Sequence, residues 1–245
     1  MTANSPFTES PTFTTVEDFL AWAGAQPDTR YELVDGEAVM MAGGSRSHAR
    51  ISGNLSAWLL EQLRGGPCEP FGSDFGVVLP SVRVNLRHPD ASVSCTEEGE
   101  DALRSPVVLA EVLSPSTEAY DRGAKAQAYR RLPSLRHLLL IEQGRPFVEH
   151  LHRASEGVDW TLTEVDGLDA MIDLIAVGLV MPMAALYARL EFNAGPAADL
   201  SDRTYPPNKA AEAASLVWTF AADPPALPGE GSPGPRATAK ARFPS

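Results

Sequence analysis

One run constrains this chain more than any other: Val107-Val108-Leu109-Ala110-Glu111-Val112-Leu113 is apolar at every position but one. A short run without polar alternation is the pattern of a central strand covered on both faces, which places the chain among α/β folds. Glu111 is the exception within it. An ionised carboxylate buried without a partner costs several kcal/mol, roughly, so it must find a cation, a metal or a proton. The plainer readings are a strand-end Glu that reaches water, or one paired with an arginine.

The flanking residues favour a site. The run is followed by Ser114-Pro115-Ser116-Thr117, and a helix is predicted from Glu118 or Asp121 to Leu132, stopped by Pro133. Lys125 and Tyr129 are four residues apart and share a face of that helix. A helix that returns from the carboxyl end of a strand packs beside it, so Lys125 could point back at Glu111. Asp90 begins a further predicted strand, Asp90 to Cys95, after His88-Pro89. A neighbouring strand brings its carboxylate alongside Glu111. Two carboxylates offer the hard oxygen ligands that Mg²⁺ takes, and a lysine can orient a metal-activated water or stabilise developing charge. Taken singly, Lys125 reads as a solvated helix lysine and Asp90 as a strand-start residue that accepts backbone hydrogen bonds.

The rest of the chain supplies the scaffold. Thr14 and Thr15 precede Glu17 and Asp18, a capped start for a helix over Val16 to Ala23. Arg30 to Val34 and Glu37 to Met41 read as two strands joined at Asp35-Gly36, where both turn residues must tolerate positive φ. Ile51, Leu55, Trp58, Leu59 and Leu63 give helical spacing between Ser45 and Arg64, with Gly65-Gly66 as the stop. Phe75 to Leu79 and Val82 to Leu86 suggest a meander. His137 to Glu142 reads as a core strand, Phe147 to Arg153 with Trp160 to Val165 as a hairpin, and Met181 to Leu190 as a closing helix with Pro182 in its first turn.

With 245 residues, 44% of them apolar, the chain can bury one core and leave an extension. There is no apolar run of membrane-span length and no signal-like start, so the expected setting is cytoplasmic, with no membrane partner. Cys68 and Cys95 are too few for a disulfide framework or a four-ligand zinc site, and a reduced, structural role is expected. The net charge of -12 is unfavourable for steering toward DNA, although Arg122, Lys125, Arg130, Arg131 and Arg136 stand against the single acid Asp121 between Asp121 and Arg136. His150 and His152 share a strand face but have no evident third ligand, and the histidines other than His48 read as surface or filler residues.

The strings Tyr31-Glu32-Leu33-Val34-Asp35-Gly36-Glu37, His88-Pro89-Asp90, Glu111-Val112-Leu113-Ser114-Pro115-Ser116-Thr117 and Lys125 with Tyr129 resemble the Uma-two-type family of restriction endonucleases, in the same order over roughly Thr15 to Phe192. The resemblance implies a restriction-endonuclease-like α/β fold of the PD-(D/E)XK kind, with a mixed central sheet flanked by helices. It also implies Mg²⁺-dependent cutting of DNA, with Mn²⁺ as a substitute metal. Asp90 and Glu111 match the metal-binding acids. The lysine usually two residues after the Glu is Leu113 here, and the resemblance assigns its role to Lys125 on the following helix. Glu32, Glu37, His48 and Tyr129 fall in the matching blocks as secondary candidates.

The domain expectation is a flexible N-terminus over 1–14, a nuclease domain over 15–192 and a disordered Ala/Pro-rich tail over 193–245. A homodimer is the expected assembly, with DNA as the partner. The competing reading is a catalytically lapsed nuclease fold that acts as a binding module through a dimer or partner protein. A two-carboxylate sugar hydrolase ranks last, because Lys125 has no place in that chemistry.

Overall fold

The computed structural model describes residues 10–192. Of the flexible start expected over 1–14, the first nine residues lie outside the described residues, as does the tail expected over 193–245. Helix α1 (Val16–Gly24) is capped by Thr15, whose hydroxyl accepts the Asp18 amide, as the sequence led us to expect. Strands β1 (Tyr31–Val34) and β2 (Glu37–Met40) form the expected hairpin. Its turn places Asp35 at φ 49° and Gly36 at φ 86°. A Cβ on Gly36 would also meet the Phe13 carbonyl at 3.0 Å, so both space and backbone require glycine there.

Helix α2 (Arg46–Gln62) starts at Ser45, whose side chain accepts the His48 amide. It buries Ile51, Leu55 and Leu59. Four strands follow: β3 (Glu69–Gly72), β4 (Val77–Val78), β5 (Leu86–Arg87) and β6 (Ala91–Ser94). The expected meander over 75–86 thus shrinks to two short strands, because Pro80 lacks a ladder donor and Val82 is fully exposed.

The apolar run becomes β7 (Pro106–Val112). After it come α3 (Glu118–Tyr120), a π-helical turn (Asp121–Lys125) and α4 (Ala126–Tyr129), so the helix read from sequence is present but widened and underwound in its middle. Strands β8 (His137–Ile141), β9 (Phe147–His152) and β10 (Thr161–Asp166) complete the main sheet, of order β10-β9-β8-β7-β6-β3. Only β7 and β8 pair in parallel within it, joined by the helical crossover. A second sheet, β2-β1-β5-β4, is drawn from the first half of the chain, with β3 of the main sheet between β2 and β4 in sequence. The fold is therefore α/β, a mixed central sheet flanked by helices.

The final helix is shorter than its sequence pattern. Met171–Leu174 (β11) and Leu179–Pro182 (β12) form a hairpin, and Pro182 ends that strand and precedes α5 (Met183–Leu186) instead of opening a long helix. Leu174, Met181, Met183, Leu186 and Tyr187 bury against α2 and one face of the main sheet. The other face carries Leu109, Leu113, Leu138 and Leu140 beneath Ala126, Tyr129 and Leu132 of the crossover.

Two expectations need correction. Cys68 and Cys95 are joined by a disulfide. The register pairs Glu69 with Ser94, so the next residues outward, Cys68 and Cys95, stand opposite each other on adjacent antiparallel strands. That adjacency is set by tertiary pairing and is invisible in a spacing of 27 residues. Second, of the histidines read as surface or filler residues, His137 and His150 are buried and paired with each other. The His137 Nε2 accepts the Ala176 amide, so its Nδ1 carries the proton and donates to the His150 Nε2 at 2.9 Å.

Candidate active site beneath the crossover helix

Glu111 and Asp90 meet because of strand register. Ala91 pairs with Ala110 across β6 and β7, and continuing that antiparallel register by one residue sets Asp90 opposite Glu111. Asp90 Oδ2 accepts the Val112 amide at 2.7 Å, which ties the start of β6 to the end of β7. It also lies 3.2 Å from His48 Nε2 on α2. His48 is held above its ordinary pKa, chiefly by its hydrogen bond to Asp90.

Glu111 points to the face of the sheet covered by the crossover. Its Oε1 receives the Tyr129 hydroxyl at 2.6 Å and lies 2.9 Å from Lys125 Nζ. Lys125 also reaches Glu32 Oε1 of β1 at 3.2 Å and Asp121 Oδ1 at 3.9 Å. Glu32 in turn accepts the His88 amide. Lys125 thereby ties the small sheet to the large one, at the level of the Pro-Asp segment.

This is a buried cluster: Glu32, Glu111, Asp121 and Lys125 are each under a tenth exposed. Burial pushes the Glu111 carboxyl up to about 8, with Asp90 and Glu32 adding to the rise against the pull of Lys125 and the Tyr129 hydrogen bond. Burial alone would lower Lys125, but the charges of Glu111 and Glu32 outweigh it and hold the ammonium above the ordinary lysine value. Asp121 is raised, mainly by burial. Four carboxyl groups crowd one lysine, and a divalent cation beside them would favour the charged form of Glu111.

Donor chemistry fits such an ion as well. The protein partners of Glu111 converge on Oε1 and those of Asp90 on Oδ2. Glu111 Oε2 and Asp90 Oδ1 accept no hydrogen bond among the described residues, and hard oxygens suit Mg²⁺ or Mn²⁺. The described residues contain no preformed group of three or more ligands at metal-holding geometry. A Mg²⁺ ion takes few protein ligands and keeps waters, so two carboxylate oxygens are a sufficient protein share.

Of the seven sequence candidates, Asp90, Glu111, Lys125, Glu32, His48 and Tyr129 are brought together. Glu37 is not. It is exposed beside the hairpin turn, and its side chain has no ion pair or hydrogen bond among the described residues. Asp121 joins the cluster although sequence reading counted it only as the acid in a basic run. The signal was available: Asp121, Lys125 and Tyr129 recur every four residues on one helix face. The basic run is only in part a free basic face, with Arg131 exposed and unpaired among the described residues. Arg122 is held by Glu118, Glu142 and Glu149, Lys125 is buried, and Arg136 donates to backbone carbonyls.

Comparison with known proteins bears on the same segment. The family model Uma2, described as "Putative restriction endonuclease", matches residues 16–184. The chain is 33% identical over 195 residues to uncharacterized protein slr1290 of Synechocystis sp., covering 78% of this chain and all of that protein. It is 32% identical over 153 residues to uncharacterized protein sll1609 of the same organism, covering 60% of this chain and 85% of that one. Among solved structures, a "putative nuclease belonging to DUF820" from Anabaena variabilis superposes with a TM-score of 0.52 at 15% identity, covering 64% of this chain and 88% of that chain. At that identity the likeness speaks to the fold.

Proposed function

Since the chain belongs to the Uma2 family of "Putative restriction endonuclease" proteins, we propose that it is a divalent-metal-dependent DNA endonuclease whose site is the Asp90–Glu111–Lys125 cluster. The observation that carries this reading is the pair of oxygens that accept no hydrogen bond among the described residues, Asp90 Oδ1 and Glu111 Oε2, on facing strand positions beside a buried ammonium. Asp90 and Glu111 would hold Mg²⁺ or Mn²⁺. When bound, the ion supplies a more acidic water and neutralises charge on the phosphodiester.

The chain's own groups do the positioning. The Val112 amide and His48 fix the Asp90 carboxylate, while the Tyr129 hydroxyl and Lys125 fix that of Glu111. Lys125 remains protonated at neutral pH because Glu111 and Glu32 raise its pKa. It therefore acts as a charged hydrogen-bond donor that orients the attacking water and stabilises charge growing on the phosphoryl oxygens, not as the base. Glu32 and Asp121 keep the ammonium in place. Hydrolysis adds water across the P–O bond, and the departing oxygen takes a proton.

Calorimetric titration with Mn²⁺ tests the site. We expect binding by the wild type and a loss of at least tenfold in affinity in Asp90→Asn and in Glu111→Gln, at unchanged fold by circular dichroism. Absence of Mn²⁺ and Mg²⁺ binding by the wild type, in the presence and absence of DNA, would favour a lapsed nuclease fold that serves as a binding module.

A further inference from the structure

Next to the carboxylate cluster, on a neighbouring face of the crossover, lies a cavity of about 180 Å³. It is far larger than the roughly 10–15 Å³ that one water requires. Arg87 borders it and is only 4% exposed. Among the described residues the Arg87 side chain makes one hydrogen bond, from Nη1 to the Leu33 carbonyl at 2.7 Å, and no ion pair. Its Nε is fully buried and has no partner. A buried guanidinium without an anion is an unusual state, because desolvating the charge is costly unless it is compensated.

The rest of the lining matches that need. Arg131 and Gln127 lie four residues apart on the crossover, both exposed, and neither side chain has a partner among the described residues. The Tyr120 hydroxyl completes the set of free donors. Asp35 also lines the cavity, but its Oδ1 is engaged by the Asn85 amide. Two guanidiniums face one carboxylate that already has a donor, so the balance of charge is positive in an otherwise acidic protein.

The geometry points to this cavity as a binding site for a phosphate group, held by Arg87 and Arg131. Guanidinium forks match phosphate oxygens in number and direction. Resting on the nuclease reading, the occupant is a second phosphate of the nucleic-acid strand, bound beside the one to be cut. A free phosphate or nucleotide presents the same oxyanion.

The test is calorimetric titration of the full chain, without divalent metal and at fixed ionic strength. The probes are inorganic phosphate, a thymidine dinucleotide and the same dinucleotide carrying a 5′-phosphate. We expect the 5′-phosphorylated probe to bind at least tenfold more weakly to Arg131→Gln and to Arg87→Gln than to the wild type. Because Arg87→Gln could fail to fold, Arg131→Gln at the exposed rim decides. Tighter binding of the dinucleotides than of phosphate assigns the site to a strand, and equal binding assigns it to the free anion. Equal affinity of wild type and Arg131→Gln for every probe, or no binding at all, overturns the phosphate site even in a protein that cuts DNA. Arg131-dependent binding in a protein that never cuts DNA upholds the site and removes only the nuclease reading.

Discussion

Lys125 sits where three carboxylates need it, and its removal measures how much the cluster depends on one charge. Replacing one partner of a buried pair leaves the other uncompensated, so Lys125→Met should destabilise the protein by about 3–5 kcal/mol in urea denaturation. Adding Glu111→Gln to it should recover most of that loss. Lys125→Met with wild-type stability would show that Glu111 does not need this cation. Tyr129→Phe should cost about 1.5–3 kcal/mol, because it strips a hydrogen bond from a buried acid. At this scale Glu111 was legible as the single polar residue in an apolar run. Glu32 was only half legible, since an acid on a hairpin strand looks like any solvated one until a helix from a distant part of the chain covers it.

Elements explain what residue patterns alone could not. The π turn Asp121–Lys125 admits an extra residue into the crossover just where Lys125 enters the site, and such bulges recur at functional sites. No propensity signals it. The hairpin at Asp35-Gly36 and the capped starts of α1 and α2 were readable because their chemistry is local, whereas β11 and β12 were hidden in a segment whose pairing depends on contacts with α2 and the sheet. The disulfide between Cys68 and Cys95 fastens the edge strand β3 to β6, and opening it with a reductant should lower stability by about 2–4 kcal/mol, read as a fall in Tm. An unchanged Tm would mean that strand pairing alone holds that edge.

The paired histidines of β8 and β9 give this part of the sheet a defined acid response. Burial is the main cause that lowers His137 to about 4 and His150 to about 3, from an ordinary value of 6.5. A histidine whose pKa is depressed by folding stabilises the native state above its unfolded pKa and withdraws that stability as the pH falls toward the folded value. Unfolding free energy should therefore drop between about pH 6.5 and pH 4, and the slope should flatten in His150→Gln. A slope unaltered by that substitution would contradict the buried, neutral pair.

For the whole molecule, the net charge of -12 and the internal pairing of Arg122 and Lys125 leave little positive surface to hold DNA. Under our proposals, affinity for DNA would come from the site itself, through metal on the carboxylates and phosphate on Arg87 and Arg131. DNA binding should accordingly strengthen with Mg²⁺ present, and few released counterions should make its salt dependence shallow. We propose that Asp90, Glu111 and Lys125 form one metal-dependent cutting site. It is tested most directly by following supercoiled plasmid with Mg²⁺ or Mn²⁺ for the wild type, Asp90→Ala, Glu111→Ala and Lys125→Ala. Metal-dependent nicking or linearisation is expected from the wild type, abolished in the first two variants and reduced by at least a hundredfold in the third. Cutting that survives the loss of both carboxylates, or four folded proteins that are all inert, would contradict it.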